Sequence, residues 1–148
     1  QILEQAGAII VIASDQKDTA EGVLGMKVDV EVSLDQVKVD EYDAIIYVGG
    51  PGTPDHLWGN QYAIEIAREA YKRDKVIGAI CLAPGVLAEA GILEGKRATV
   101  FSAAIEKLEQ AGCTYVDQNV VKDGNIITAN GPGAAEEFGE KIKEALST

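Results

Sequence analysis

The feature that most restricts the fold is residues 75–90, which place a cysteine between a strand pattern and a helix pattern. Residues 76–80, V-I-G-A-I, form a short apolar run typical of a strand buried in a sheet. After Cys81, residues 83–90 predict a helix with proline in its first turn. This order predicts a nucleophile elbow, in which a reactive side chain follows a parallel strand and backbone N–H groups face its target.

The residues around Cys81 leave its chemical role open between two interpretations. A thiol at a helix N-terminus is expected to have its thiolate stabilised by the helix dipole, which favours reactivity. A free cysteine that serves as a small hydrophobic residue in a strand-to-helix turn fits the same pattern equally well. The local sequence alone does not decide between them.

Strand and helix patterns alternate along the rest of the chain, with short connections between them. A loop is predicted at 14–25, and a tight hairpin turn at K-D-G-N, residues 122–125. Such alternation predicts one α/β domain, residues 1–148, with a mostly parallel sheet covered by helices on both faces. The predicted strands are 8–13, 28–32, 44–48, 76–80, 98–101, 114–116, 119–121 and 126–128, and the other helices are 60–72, 103–111 and 133–146.

Composition excludes several classes of protein. The formal net charge of −11 argues against nucleic acid or an anionic membrane as a partner, because both attract basic surfaces. No apolar run reaches the 18 or so residues that a membrane-spanning helix needs. The two cysteines, Cys81 and Cys113, make neither a disulfide framework nor a metal cluster. We therefore expect a cytoplasmic protein with no metal and no cofactor.

Several stretches together resemble the superfamily of PfpI-type intracellular proteases and the Parkinson-associated deglycase. The most specific stretch is Cys81 followed by A-G-I-L-E-G-K-R-A-T at residues 90–99. Further matches are Y-D-A-I-I at 42–46 leading into Gly49-Gly50, V-V-K-D-G-N-I-I-T at 120–128, and Gly131-Pro132. The resemblance implies the class I glutamine amidotransferase-like fold, a flavodoxin-like three-layer sandwich.

The resemblance also implies an active site. Cys81 would be the nucleophile, and the backbone N–H groups of Gly50 and Leu82 would form an oxyanion pocket. Two amides aimed at one developing negative charge stabilise it where water cannot enter. His56, the only histidine, lies in the loop after the second apolar strand and is a weaker candidate as a base. We favour the interpretation that His56 is a partly exposed loop residue.

Two departures from the family pattern restrict the chemistry. The protease branch has histidine directly after the cysteine, where this chain has Leu82. A histidine there can act as the base for the thiol and as the acid for the leaving amine, and amide cleavage needs both. The family also carries an acid in the loop after its first strand, which would lie before Gln1. Residues 1–7 have the pattern of a helix end closed by glycine. We therefore expect the first strand and the start of the first helix to come from preceding residues or a companion N-terminal fragment.

The sequence thus favours a cysteine-dependent stress protein that acts on reactive carbonyls, with glyoxalase or deglycase chemistry of the hydrolase or lyase type. A redox sensor or chaperone-like protein that uses the same cysteine is the first alternative. An intracellular cysteine peptidase is the second, and Leu82 disfavours it. From the resemblance we expect a homo-oligomer, a dimer or larger, whose other partner is a small reactive carbonyl or an oxidant.

Overall fold

The structure, a computed structural model, describes residues 13–14, 19–21, 27–29, 32–33, 39–42, 44–48 and 60–146. The strands within these residues are β1 (Ala13–Ser14), β2 (Thr19–Glu21), β3 (Lys27–Asp29), β4 (Val32–Ser33), β5 (Ala44–Val48), β6 (Val76–Ile80), β7 (Arg97–Ala98), β8 (Thr114–Tyr115), β9 (Val120–Asp123) and β10 (Ile126–Ala129). The α-helices are α1 (Gln61–Lys72), α2 (Pro84–Glu89), α3 (Ile105–Gln110) and α4 (Ala135–Leu146), and 3₁₀ turns cover Val39–Glu41, Ser102–Ala104 and Pro132–Ala134.

The largest sheet among the described residues has the strand order β5–β6–β10–β9. β6 runs parallel to β5 on one side and to β10 on the other, and β9 pairs with β10 in an antiparallel hairpin. Every residue of β6 is buried, as a central strand covered on both faces requires. The strands predicted at 44–48 and 76–80 and the hairpin turn at 122–125 are therefore confirmed.

Side chains of β6 alternate between two apolar clusters, one on each face of this sheet. Ile77 and Ala79 belong to the cluster that includes buried residues of α1, α2 and α3. Val76 and Ile80 belong to the cluster that includes buried residues of α4. Helices therefore cover both faces of the sheet, which gives the three layers that the sequence predicted.

The helix α1 begins where the sequence predicted it. The Asn60 side chain accepts hydrogen bonds from the backbone N–H groups of Tyr62, at 2.9 Å, and Ala63, at 3.1 Å, as an N-cap residue does. The buried Tyr47 hydroxyl, on β5, donates to the Ala63 carbonyl at 2.7 Å. This bond ties the first turn of α1 to the neighbouring strand of the sheet.

Three predicted segments differ from the structure. The predicted loop at 14–25 contains β2, which pairs antiparallel with β3. The predicted strand at 28–32 covers parts of two strands with different partners, because β3 pairs with β2 while β4 pairs in parallel with β1. The predicted strand at 98–101 ends at Ala98, since the Thr99 N–H donates to a side chain instead of a neighbouring strand. Most of the strand predicted at 8–13 lies outside the described residues.

The described residues form four α-helices. None of them is both long enough and apolar enough to cross a membrane.

Candidate active site

Cys81 directly follows β6 and has a backbone φ of +64°. This left-handed conformation is rare for residues other than glycine, because the Cβ atom crowds the following carbonyl oxygen. The helix α2 starts three residues later, with Pro84 at its beginning. The strand, cysteine and helix predicted from the sequence are confirmed, and a strained turn joins them.

Hydrogen bonds hold the backbone of Cys81 on both sides. Its N–H donates to the carbonyl oxygen of Ala129, at the end of β10, at 3.0 Å. Its carbonyl oxygen accepts from the N–H of Phe101 at 2.8 Å. The N–H of Ala83 donates to the Ile80 carbonyl at 3.1 Å and closes the turn. Two segments distant in the sequence therefore fix the conformation of this residue.

The Cys81 thiol is free and half-buried, and it packs against the apolar cluster beneath α4. Burial raises the pKa of this thiol above its ordinary value. The helix that follows the cysteine, α2, has only six residues, so the stabilisation of the thiolate by a helix dipole stays a prediction. A thiol with a raised pKa is mostly protonated at neutral pH, so a nucleophilic role requires a group that accepts its proton.

Leu82, the residue after the cysteine, is half-buried and packs against the cluster on the opposite face of the sheet. An apolar side chain therefore occupies the position where the protease branch was expected to carry an imidazole. The role predicted for the Leu82 N–H in an oxyanion pocket stays a prediction. Gly50 and His56, the other predicted site residues, lie outside the described residues.

Cys113 has a different environment. It is free, buried, and part of the cluster beneath α1, α2 and α3, whereas Cys81 contacts the cluster beneath α4. Burial raises the pKa of the Cys113 thiol, and the negative charge of Asp123 adds to this effect. These surroundings are those of a structural cysteine, so Cys113 is a natural control for experiments on Cys81.

Sequence reasoning missed residues 99–101 and Thr128. Phe101 is a large apolar residue that is 43% exposed, although its N–H donates to the Cys81 carbonyl. Thr99 and Thr128 are the buried polar residues of the described core, and they are hydrogen-bonded to each other. The signal available in the sequence for this pair was a single threonine within each of two otherwise apolar segments.

The described residues include both cysteines and several acidic side chains. Among them, no three His, Cys, Asp or Glu side chains lie together in a way that could hold a metal ion.

Comparison with known proteins identifies the family. A family model described as the DJ-1/PfpI family matches residues 1–145. The chain belongs to the DJ-1/PfpI family. It is 46% identical over 147 residues to an uncharacterized protein of Methanocaldococcus jannaschii, covering 98% of this chain and 72% of that protein. It is 34% identical over 131 residues to a Pyrococcus furiosus protein named deglycase PfpI, covering 88% of this chain and 78% of that protein.

Solved structures agree with this assignment. A ThiJ/PfpI domain protein from Brachyspira murdochii superimposes with a TM-score of 0.95 at 30% identity, covering 99% of this chain and 84% of that chain. Drosophila melanogaster DJ-1beta superimposes with a TM-score of 0.89 at 33% identity, covering 98% of this chain and 78% of that chain. The predicted family and the predicted flavodoxin-like α/β fold are therefore confirmed.

Proposed function

We propose that the protein is a cysteine-dependent enzyme that converts small reactive carbonyls, such as methylglyoxal, by deglycase or glyoxalase chemistry. The observation that carries the proposal is the left-handed backbone of Cys81 at the end of a central parallel strand. Backbone strain of this kind persists where function requires a side chain to be presented in one orientation. The relatives named deglycase support the class of reaction.

In the proposed reaction, the Cys81 sulfur forms a bond to the aldehyde carbon, and the carbonyl electron pair moves onto oxygen. The Leu82 and Gly50 amides would stabilise this oxyanion. A proton leaves the former aldehyde carbon and another is added at the neighbouring ketone carbon, which produces a thioester beside a new alcohol. Water then cleaves the thioester, releasing the hydroxy acid and the free thiol, so that methylglyoxal plus water gives lactate.

Proton transfer is the demanding part of this scheme. Because burial raises the pKa of the Cys81 thiol, a base must take its proton before carbonyl addition at neutral pH. The acid that the family carries in the loop after its first strand would be this proton carrier, and His56 remains the weaker candidate. The carrier would also move the proton between the two carbon atoms.

The environment of the thiol favours a carbonyl substrate over a peptide. Peptide cleavage needs a general acid that protonates the departing amine. The side chain next to the cysteine, Leu82, packs against an apolar cluster and has no proton that it could donate. The conversion of free methylglyoxal described above expels no amine, so it needs no such acid. For this reason we do not propose peptidase activity.

The test is a comparison of methylglyoxal consumption by three purified proteins: the wild type, Cys81→Ser and Cys113→Ser. We expect Cys81→Ser to lose the activity, with lactate formation lost in parallel, and Cys113→Ser to keep it. Both variants remove one thiol, so the pair separates the reactive cysteine from a general effect of losing sulfur. Equal rates of methylglyoxal consumption by Cys81→Ser and the wild type would contradict the proposed enzymatic role.

A second candidate function is a redox sensor, favoured by the difference in burial between the two thiols. The half-buried Cys81 thiol is more accessible to peroxide than the buried Cys113 thiol, and accessibility favours sulfenic and then sulfinic acid formation. Mild peroxide treatment followed by mass mapping would locate the added oxygen. Oxidation of Cys113 at a rate equal to that of Cys81 would rule out this candidate.

A further inference from the structure

We infer that Thr128 is a positioning residue for Cys81, because its buried hydroxyl holds the 99–101 segment that in turn holds the cysteine carbonyl. The residue lies in β10, one position before Ala129, which accepts the hydrogen bond from the Cys81 N–H. Thr128 therefore connects the two segments that fix the strained turn. The inference concerns the site of the proposed function, and only its last readout rests on that function.

Three hydrogen bonds make this connection, and the backbone of residues 99–101 links the first two to the third. The Thr99 N–H donates to the Thr128 hydroxyl oxygen at 2.9 Å, and that hydroxyl lies 3.5 Å from the Val121 carbonyl, to which it donates. Two residues beyond Thr99, the Phe101 N–H donates to the Cys81 carbonyl at 2.8 Å. The hydroxyl of Thr128 thus acts as acceptor and donor at once, which a threonine or serine can do and a valine cannot.

The Thr99 N–H depends on this hydroxyl because regular pairing ends one residue earlier, at Ala98. Thr99 is fully buried and Thr128 is 1% exposed, so water does not readily replace the acceptor. A buried N–H without a partner is strongly disfavoured, and the segment is expected to move in order to satisfy it. Movement at Thr99 displaces Phe101, which lengthens or breaks the bond to Cys81.

Cys81 is sensitive to this loss because its φ of +64° is an unfavourable conformation for a residue with a side chain. Such a conformation persists only where surrounding contacts impose it. When the bond to its carbonyl is weakened, the backbone can relax, and the direction of the Cβ–Sγ bond changes with φ. The half-buried thiol then leaves its place against the cluster beneath α4.

The Thr99 side chain offers a matched control. Its hydroxyl oxygen is buried and has no hydrogen-bond partner among the described residues, whereas the Thr128 hydroxyl has two. Thr99→Val and Thr128→Val are the same chemical change at two equally buried positions. Only Thr128→Val removes an acceptor from the hydrogen-bonded series, because Thr99→Val keeps its own backbone N–H.

The first readout is hydrogen exchange at single amides, which requires no enzymatic activity. We expect Thr128→Val to accelerate exchange of the Phe101 amide by roughly tenfold relative to the Lys75 amide, which donates to the Ala70 carbonyl near the end of α1. Thr99→Val should leave this ratio unchanged, and Thr128→Ser, which keeps the hydroxyl, should restore it. A uniform change at both amides, or equal effects of the two valine substitutions, would overturn the inference.

The second readout is the rate of Cys81 alkylation by iodoacetamide, with Cys113 as an internal monitor of general opening. We expect Thr128→Val to raise the Cys81 rate about fivefold or more over the Cys113 rate, because the released thiol is more exposed. If Thr128→Val does not fold, Phe101→Pro replaces it. The φ of Phe101 is −56°, which suits proline, and the change deletes the N–H that bonds Cys81.

The matched control for Phe101→Pro is Phe101→Ala, which removes the same ring but keeps the N–H. Faster Cys81 alkylation in Phe101→Pro than in Phe101→Ala supports the inference, and equal rates contradict it. The last readout is carbonyl conversion, where Thr128→Val should lower kcat and leave KM nearly unchanged. If the wild type converts no carbonyl, the proposed function fails, while exchange and alkylation still decide whether Thr128 positions Cys81.

Discussion

Replacing Cys81 by glycine is expected to make the protein more stable than replacing it by alanine. With a φ of +64°, alanine keeps the steric conflict of the left-handed conformation, which costs about 1–2 kcal/mol for a residue with a Cβ atom. Glycine is free of this conflict but loses roughly 0.5–1 kcal/mol through the greater freedom of the unfolded chain. The net expectation is that Cys81→Gly exceeds Cys81→Ala by about 1 kcal/mol in free energy of unfolding.

The assay is urea unfolding followed by circular dichroism. The two variants can be compared when their free energies of unfolding fall with urea concentration at the same slope. Ala111→Gly is the control, because Ala111 has an ordinary φ of −87° and the same alanine-to-glycine change there should destabilise the protein by roughly 0.5–1 kcal/mol. The alanine-to-glycine change is therefore expected to raise the free energy of unfolding at position 81 and to lower it at position 111. If Cys81→Gly is less stable than Cys81→Ala, the turn at Cys81 stores no strain, and the reasoning about its function is refuted.

Two further predictions concern the support of the sheet. Burial raises the pKa of Tyr47, so its neutral hydroxyl stabilises the fold below the ordinary value of about 10 and this contribution is lost as pH rises further. Tyr47→Phe removes the hydrogen bond to Ala63 and should lower the free energy of unfolding by about 1 kcal/mol at pH 7. Urea unfolding at a series of pH values should show this difference from the wild type shrinking above about pH 10. A difference that stays constant with pH would contradict the prediction. Gly78→Val should destabilise by roughly 1–3 kcal/mol, because a Cβ there approaches Phe138 Cζ and Ile142 Cδ1 to 2.9 Å, and an unchanged melting temperature would show that α4 has room to move.

The parts of the fold that local sequence determines could be predicted. Residues 44–48 and 76–80 are continuous apolar runs bounded by turns, a pattern that predicts a strand regardless of which strand pairs with which. Asn60 begins α1 through bonds to residues two and three positions away. The K-D-G-N turn needs a left-handed residue, and Gly124 has a φ of +61°.

The parts that depend on distant partners could not be predicted. An alternating pattern at 28–32 indicates a strand, but it does not say that β3 pairs with β2 while β4 pairs with β1. The bond between Thr99 and Thr128 joins residues 29 positions apart, and a threonine hydroxyl takes the place of a strand partner. For the candidate site, the sequence predicted the position of Cys81 but not the bonds that hold it in its strained conformation.

The central claim, that Cys81 is the reacting group, is tested most directly by parallel inactivation and labelling with iodoacetamide. Samples taken during the reaction are assayed for methylglyoxal consumption, and the alkylated cysteines are mapped by mass spectrometry. The account predicts that activity falls with the same rate constant as Cys81 is labelled, while Cys113 remains unlabelled. Full activity in protein whose Cys81 is completely alkylated would contradict the account.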